Sequence, residues 1–361
     1  MFSDIYRGRR VLVTGHTGFK GSWLCQWLLS LGAHVRGYAL DPPTKPSLFE
    51  QLALSSQMED VRCDVRDSKK LFAEMEAFHP EFLFHLAAQP LVRYSYQNPV
   101  ETYETNVMGT VHVLEALRTL NRPCVAIIVT TDKCYENREW VYGYRETDPM
   151  GGADPYSSSK GMAELATAAY RSSYFQDGRV RVATVRAGNV IGGGDWATDR
   201  IIPDCVRAIQ NNDTIIVRNP LATRPWQHVL DPLHGYLTLA EQLFGANDSS
   251  QLIKLCQSFN FGPGSISNRH VQDLVSEMLR TIPGSWQDHR DPKAPHEAML
   301  LHLCTDKARI ELNWAPAWNF ETTVRLTATW YRDYIAGHDP LELTCEQIAQ
   351  YESCQKGRIT C

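Results

Sequence analysis

The first half of the chain alternates short apolar runs with amphipathic stretches, and this alternation limits the fold to a small set. Strands that pair in parallel need a long crossover connection, which a helix commonly supplies. We therefore predict an α/β fold, a doubly wound parallel sheet of the Rossmann type. The predicted strands are 11–13, 35–40, 58–63, 82–86, 125–130 and 180–185, and the predicted helices are 23–31, 68–78, 99–120 and 155–174.

The pattern changes after about residue 186, where glycine, proline and tryptophan interrupt shorter segments. This change predicts a second, smaller domain of mixed α/β structure, which we expect to bind the substrate. The predicted first domain comprises 1–186 and also 225–250, and the second comprises 187–224 and 251–361.

Composition excludes several classes of protein. The 361 residues are 43% hydrophobic and 21% charged, as in ordinary globular proteins, and the net charge is −5. Without a lysine- or arginine-rich block, neither nucleic acid nor an anionic membrane surface is an expected partner. The apolar runs are shorter than the roughly 20 residues that a membrane-spanning helix needs. From the polar residues near the start, we expect no secretion signal. We expect a cytoplasmic location.

The ten cysteines are spread through apolar segments, and no two have the Cys-x-x-Cys spacing of zinc ribbons and redox dithiols. They are predicted to be buried free thiols, and we predict no metal site. Their positions are 25, 63, 124, 134, 205, 256, 304, 345, 354 and 361.

A glycine-rich segment follows the first predicted strand and precedes the first helix. Gly15, Gly18 and Gly21 lie three residues apart, with Thr17 and Phe19 between them. Such a turn lets the backbone approach a pyrophosphate, whose charge the N-terminus of the helix stabilises. A tight strand-to-helix turn without a ligand would show the same glycines.

Two acidic positions favour the dinucleotide interpretation. Asp41 closes the second strand and lies 41 − 21 = 20 residues beyond the last glycine, where a carboxylate holds the ribose hydroxyls. Because a carboxylate there repels a 2′-phosphate, the predicted cofactor is NAD rather than NADP. Asp64 and Val65 end the third strand and are expected beside the adenine.

Tyr156 and Lys160 lie four residues apart at the start of a long predicted helix, so they share one face. A lysine cation there favours the phenolate, which would allow the tyrosine to act as a base. An exposed surface pair is the alternative.

Together these features resemble the extended short-chain dehydrogenase/reductase family, many of whose members act on nucleotide sugars. The glycine pattern, Tyr156 and Lys160 carry the resemblance, and the segments 85–89, 106–110 and 186–190 extend it. It covers residues 10 to about 235 well and implies that Ala87 also contacts the cofactor. Family dimers further imply a homodimer or homotetramer that pairs through helices 99–120 and 155–176.

Within this family, the segment after the fifth strand distinguishes subgroups. Thr131 occupies the position of the catalytic Ser/Thr, and Asp132 matches the acid of the sugar-nucleotide 4,6-dehydratases, which epimerases lack. Lys133 replaces the usual glutamate. An exposed turn aspartate is the alternative interpretation of Asp132.

Lys133, with the segment 145–152, resembles the cytidine branch of these dehydratases, which implies CDP-D-glucose as the substrate. The branch also implies a product that leads to deoxysugars of bacterial surface polysaccharide such as the O-antigen. The residues leave open which group removes the C5 proton. They also leave open a 4-epimerase, a dehydratase for another nucleotide, or a nucleotide-sensing protein without catalysis.

The resemblance implies several substrate-binding residues. Arginine suits a diphosphate because its planar fork donates two parallel hydrogen bonds. Trp196 and Trp226 are interpretable as cytosine-stacking or as core residues. The expected substrate-binding residues are Gln89, Arg93, Asn189, Arg200 and Arg224.

Overall fold

The computed structural model describes residues 2–264, 267–290 and 300–359, which form thirteen strands. Seven of them build one fully parallel sheet in the order β11-β6-β5-β4-β1-β2-β3. The strands are β1 (Arg10–Thr14), β2 (His34–Ala39), β3 (Glu59–Arg62), β4 (Phe82–His85), β5 (Cys124–Val129), β6 (Val180–Ala187), β7 (Val190–Ile191), β8 (Ile215–Val217), β9 (Thr223–Pro225), β10 (Gln227–His228), β11 (Ser258–Phe261), β12 (Asn268–His270) and β13 (Trp286–Asp288).

Fourteen α-helices connect and cover these strands within the described residues. They are α1 (Phe19–Ser30), α2 (Leu48–Gln51), α3 (Ser68–Phe78), α4 (Val92–Gln97), α5 (Pro99–Tyr103), α6 (Gly109–Thr119), α7 (Pro155–Tyr174), α8 (Ile201–Gln210), α9 (Leu230–Gly245), α10 (Ser249–Leu255), α11 (Val271–Met278), α12 (Asp306–Leu312), α13 (Phe320–Ile335) and α14 (Pro340–Ile359).

Both faces of the main sheet are buried, as is usual for a parallel sheet. Successive side chains of each strand point to opposite faces. Leu12 and Leu83 point to one face and pack with residues of α3 and α6. Val11 and Phe84 point to the other face, where α1 and α9 cover them. The predicted doubly wound fold is therefore confirmed.

Two predicted helices differ in detail from the structure. Helix α1 begins at Phe19, four residues before the predicted start, because Gly18 caps it and Gly21 lies inside its first turn. The predicted helix 99–120 contains a π-helical turn, Glu104–Met108, between α5 and α6. This wider turn carries Asn106, whose amide donates to Ser159 Oγ at 2.9 Å. Such turns are frequent at functional sites.

The predicted domain boundary needs one correction. Residues 251–361 were assigned to the second domain, yet β11 pairs with β6 and forms the edge of the main sheet. The prediction missed this strand because 258–261 is a short run that an irregular segment and the helices α9 and α10 separate from β6. Three two-stranded sheets, β7–β10, β9–β12 and β8–β13, lie outside the main sheet. The rest of the division stays a prediction.

Both C-terminal helices share a core with the first helix of the dinucleotide fold. Tyr351 of α14 packs edge-on against Trp27 of α1, and Trp27 Nε1 donates to Glu352 at 2.8 Å. Trp330 of α13 is fully buried in the same cluster. The C-terminal segment thus stabilises the glycine-loop helix from behind.

The cysteines within the described residues are free thiols, of which Cys25, Cys124, Cys134 and Cys205 are buried and Cys354 is exposed. Cys361 lies outside the described residues. Across the described helices, none has the length and apolarity needed to cross a bilayer.

Candidate active site

Most predicted site residues follow strands of the main sheet or lie on helices that begin at its carboxyl edge. The exceptions are Arg200, which precedes α8, and Arg224, which lies on β9 outside the main sheet. Because the strands are parallel, β1, β4, β5 and β6 deliver their following loops to the same edge. In open α/β sheets this edge is the place where ligands bind.

The glycine loop forms a cradle that leaves no room for a side chain at Gly15 or Gly21. A Cβ on Gly15, whose φ is +76°, would lie 2.6 Å from the backbone nitrogen of Ala87. A Cβ on Gly21 would lie 2.2 Å from the carbonyl oxygen of Gly15. Gly18 caps α1 with no side-chain hydrogen bond to the first turn. The N–H groups of that turn are thus available for an anion, which fits the pyrophosphate of a dinucleotide.

Neighbouring predicted residues hold this cradle in place. Thr17 Oγ1 donates to the carbonyl of Leu40 at 3.0 Å, and Ala87 N–H donates to Thr14 Oγ1 at 3.2 Å. Phe19 lies beside Gly192, where an added Cβ would approach its ring to 3.3 Å.

Asp41 lies at the end of β2 with its side chain 91% exposed, open to a ribose. Sequence reasoning missed Arg62, whose guanidinium lies 3.5 Å from Asp41 and 2.8 Å from Asp60. These carboxylates offset the charge of Arg62, so the position stays unfavourable for a 2′-phosphate. Asp64 is bound by Arg66 at 2.6 Å, and Val65 is buried against the helix that begins at Gly109.

The carboxylate of Asp132 is buried, at 3% exposure. One of its oxygens accepts a hydrogen bond from Thr131 Oγ1 at 3.0 Å, and the other has no partner within the described residues. That second oxygen lies where a Cβ on Gly188 would come within 2.8 Å. Burial raises the pKa of Asp132, against the opposing charges of Lys133 and Arg224. The exposed-turn interpretation of Asp132 is therefore wrong.

Tyr156 and Lys160 are both buried on one face of α7, so the surface-pair alternative is also wrong. Lys160 Nζ donates to the carbonyl of Val129 at 3.3 Å, and burial lowers its pKa to about 8. Burial raises the pKa of Tyr156 to about 12, with a hydrogen bond to Thr131 and the charge of Arg200 opposing it. We expected Lys160 to depress this pKa, but in the structure its ammonium is directed at a backbone carbonyl.

Of the predicted substrate residues, two arginines act on these groups, whereas others are bonded elsewhere. Arg200 and Arg224 are close enough to act electrostatically on Tyr156 and Asp132, respectively. Arg93 instead pairs with Asp199 at 3.3 Å. The side-chain amide of Gln89 is already bonded, since it donates to the carbonyl of Leu91 at 3.1 Å and to Thr102 Oγ1 of α5 at 3.0 Å.

Asn189 follows β6, and its carbonyl oxygen accepts from Gln227 N–H at 3.2 Å. Trp196 and Trp226 are both buried in the main cluster, which favours the core interpretation of each.

Sequence reasoning missed Lys20, inside the glycine segment. Its ammonium lies 5.7 Å from the centre of the Tyr236 ring. Burial, with Arg200 and Lys160 nearby, lowers the pKa of Lys20 to about 8. The signal that could have found it is a lysine placed between Gly18 and Gly21, inside the glycine pattern.

Glu164 and Arg186 were missed as well. They form an ion pair at 2.8 Å in which both side chains are 3% exposed. Burial alone would raise the pKa of Glu164, but Arg186 and the hydroxyls of Thr130 and Thr184 outweigh it and hold that pKa below its ordinary value. Glu164 lies four residues beyond Lys160 on α7, a spacing that could have revealed it.

Three features lie together at this edge: the glycine cradle after β1, the buried Tyr-Lys pair on α7 and the acid Asp132 after β5. Together they define a dinucleotide-binding enzyme of the short-chain dehydrogenase/reductase class. The family model described as GDP-mannose 4,6 dehydratase matches residues 12–327. The chain belongs to this family, and the resemblance seen in the sequence is confirmed.

Named relatives agree with this assignment. The chain is 48% identical to a CDP-glucose 4,6-dehydratase of Salmonella typhimurium, over 97% of this chain and 98% of that protein. It is 25% identical to a dTDP-D-glucose 4,6-dehydratase of Bos taurus, over 90% of this chain and 89% of that protein. Among solved structures, a dTDP-glucose 4,6-dehydratase of Streptomyces venezuelae shares the fold with a TM-score of 0.75 at 23% identity, covering 92% of this chain and 99% of that one.

We predict that Asp132→Asn raises the stability of the protein at neutral pH. The folded state favours the neutral acid, so the buried carboxylate costs stability once the pH exceeds the raised folded-state pKa. At about pH 7 the variant should be more stable by on the order of 1 kcal/mol. The difference should fade as the pH falls through that pKa toward the ordinary value of 3.8.

Urea unfolding at a series of pH values measures this difference. Asp195→Asn is the matched control, because it removes the 2.8 Å partner of Arg200 and should lower stability instead. A less stable Asp132→Asn at neutral pH would contradict the expectation.

Proposed function

We propose that this protein is an NAD-dependent lyase that dehydrates CDP-D-glucose to CDP-4-dehydro-6-deoxy-D-glucose. The observation that carries the proposal is the buried carboxyl of Asp132 beside Thr131 and Tyr156. One oxygen of this carboxyl has no partner among the residues that the structure describes. An acid at this place is needed to expel a hydroxyl and is not needed for epimerisation at C4. The 48% identical relative named for this reaction supports the choice of nucleotide.

The cofactor fits the cradle that the glycine loop leaves open. Gly15, Gly18 and Gly21 would admit the pyrophosphate, with Thr17, Phe19 and Ala87 lining its path. Asp41 would hold the ribose, while Asp64 and Val65 would lie at the adenine. When bound, NAD would accept a hydride from C4 of the sugar and later return it to C6.

In the first half-reaction, Tyr156 takes the proton of the C4 hydroxyl. Thr131, whose side chain lowers the pKa of Tyr156, would orient the same oxygen. Deprotonation requires cationic help because burial raises the pKa of Tyr156 to about 12. Arg200 is the cation that opposes this rise in the structure, and Lys160 would assist once its ammonium turned away from the carbonyl of Val129. Lys160 also suits the nicotinamide ribose as a hydrogen-bond donor.

In the second half-reaction, the C4 ketone acidifies the C5 hydrogen, and water leaves across C5 and C6. Burial favours the protonated form of Asp132, which would donate its proton to the departing C6 hydroxyl. Lys133 is half-buried next to it and is the candidate base for the C5 proton. Gly188 leaves the space in which the reacting oxygen of Asp132 lies.

Substrate binding falls to cationic and amide groups at the same edge. Arg224 and Arg200 would bind the diphosphate, together with Asn189, and Gln89 and Arg93 would face the sugar. For the last two residues this requires exchange of their present partners, Thr102 and Asp199. We also propose a cytoplasmic location and a role in deoxysugar synthesis for surface polysaccharide.

Incubation with CDP-glucose and NAD⁺ tests the function, with UDP- and dTDP-glucose in parallel. We expect the product mass to fall by one water for the CDP sugar alone, without net formation of reduced cofactor. An unchanged mass with a new C4 stereoisomer would identify an epimerase. Water loss from another nucleotide sugar would retain the reaction and overturn the cytidine assignment.

Asp132→Asn should separate the two half-reactions. Without a proton donor the C6 hydroxyl is a poor leaving group, so we expect water loss at least about a hundredfold slower. Oxidation at C4 should persist, and its rate in the same sample, followed by cofactor absorbance, is the internal control. Unchanged dehydration would rule out the role given to Asp132.

We propose a homodimer, with pairing of dimers into a tetramer left to measurement. Met162 and Leu165 of α7 and Met108 beside α6 are exposed apolar side chains on neighbouring helices. Mass photometry should show at least twice 40.9 kDa. Leu165→Glu should shift the population toward the monomer, whereas Ile310→Glu, an exposed isoleucine on α12, should not. A wild-type protein of 40.9 kDa would contradict the proposal.

A further inference from the structure

The residues assigned to acid–base chemistry lie on a turn that is weakly held by its own hydrogen bonds. Asp132–Cys134 is a single 3₁₀ turn. Its backbone bonds are long, with Cys134 N at 3.4 Å from Thr131 O and Tyr135 N at 3.5 Å from Asp132 O. Such short turns have poor hydrogen-bond geometry, so the position of Asp132 depends on what holds the two ends of the turn.

One buried ion pair is connected to both ends. At the start of the turn, Thr130 Oγ1 donates to Glu164. Arg186 bonds the same Glu164 through Nε at 2.9 Å and Nη2 at 2.8 Å. At the end of the turn, Arg186 Nη1 donates to the hydroxyl oxygen of Tyr135 at 2.6 Å.

The Tyr135 hydroxyl has a further partner behind the turn. It donates to Asn260 Oδ1 at 2.8 Å, and the Asn260 amide donates to the carbonyl of Tyr144 at 2.8 Å. The phenol is thus both an acceptor and a donor in a buried network, and its ring stacks on Tyr144 with centroids 5.2 Å apart. A network with its members satisfied is rigid, because each displaced group would be left unpaired away from water.

We infer that Glu164, Arg186 and Tyr135 form a turn clamp that positions Asp132 and Lys133 for elimination. None of the three touches the reacting atoms, so they are positioning residues. Tyr156 and Lys160 are placed by helix α7 itself, and the clamp therefore serves the second half-reaction more than the first. This inference rests on the proposed dehydratase function.

Tyr135→Phe tests the turn clamp, since it removes the hydroxyl and keeps the stacking on Tyr144. Misplacement of a reacting group by about 1 Å slows a step by up to about a hundredfold, so we expect water loss to slow about tenfold or more. Oxidation at C4, followed by cofactor absorbance in single turnovers, should stay within about twofold of wild type. The reduced cofactor should accumulate in the variant.

A matched control and a second variant make the result specific. Tyr6→Phe removes an equally buried hydroxyl, which donates to the carbonyl of Leu237 at 2.6 Å, remote from the turn. It should leave both half-reactions at wild-type rates. Arg186→Lys keeps a positive charge opposite Glu164 and gives up the bond to Tyr135, so it should reproduce the effect of Tyr135→Phe.

Hydrogen exchange provides a readout that needs no turnover. Peptides covering 131–135 should exchange faster in Tyr135→Phe than in wild type and should be unchanged in Tyr6→Phe. The turn clamp would be overturned if Tyr135→Phe changed neither the hydrogen exchange of 131–135 nor the rate of water loss relative to C4 oxidation. An equal fall of both half-reactions would also overturn it, because it would indicate a general structural role. If wild type dehydrates no sugar nucleotide, the proposed function fails, and the exchange result still decides whether the clamp holds the turn.

Discussion

Parallel pairing of the seven main strands is the constraint on which the rest of the structure depends. A parallel sheet buried on both faces must send every connection across a helix, so successive strands deliver their ends to one edge. Gly15 after β1, Ala87 after β4 and Asp132 after β5 meet there for this reason. The approach of Gly15 to Ala87 is so close that a single methyl group would separate the two loops.

Desolvation then gives these converging residues their chemistry. Burial raises the pKa values of Asp132 and Tyr156 and lowers those of Lys20 and Lys160, so each group is moved toward its neutral form. For Asp132, Lys20 and Lys160 the pKa moves toward neutral pH, where a group can exchange protons readily. The pKa of Tyr156 moves further from neutral pH, so its deprotonation depends on neighbouring cations. The site therefore obtains reactivity from the burial that makes it costly to fold.

Sequence reasoning succeeded where local pattern and chemistry coincide. The six predicted strands, the cradle of Gly15, Gly18 and Gly21, and the helix carrying Tyr156 and Lys160 all have signals within a few residues. It failed where the determining contact is distant in sequence. Strand β11 pairs with β6 although the partners Phe261 and Ala187 lie 261 − 187 = 74 residues apart. The direction of the Lys160 ammonium toward Val129 likewise follows from packing that no spacing reveals.

The buried charged residues around the Asp132–Cys134 turn are of two kinds: those whose hydrogen bonds are satisfied, which serve the structure, and those with an atom unpartnered within the described residues, which serve the reaction. Glu164 and Arg186 satisfy each other and their neighbours, so their ionised forms persist and hold the surrounding strands in one arrangement. Asp132 keeps an oxygen without a partner in the described structure, at a cost that a purely structural residue would not retain. The satisfied pair is bonded on both sides of the turn that carries the unsatisfied acid, so the rigidity of the pair supports the position of Asp132. A site built this way tolerates a costly reactive group only because the groups next to it are fully paired.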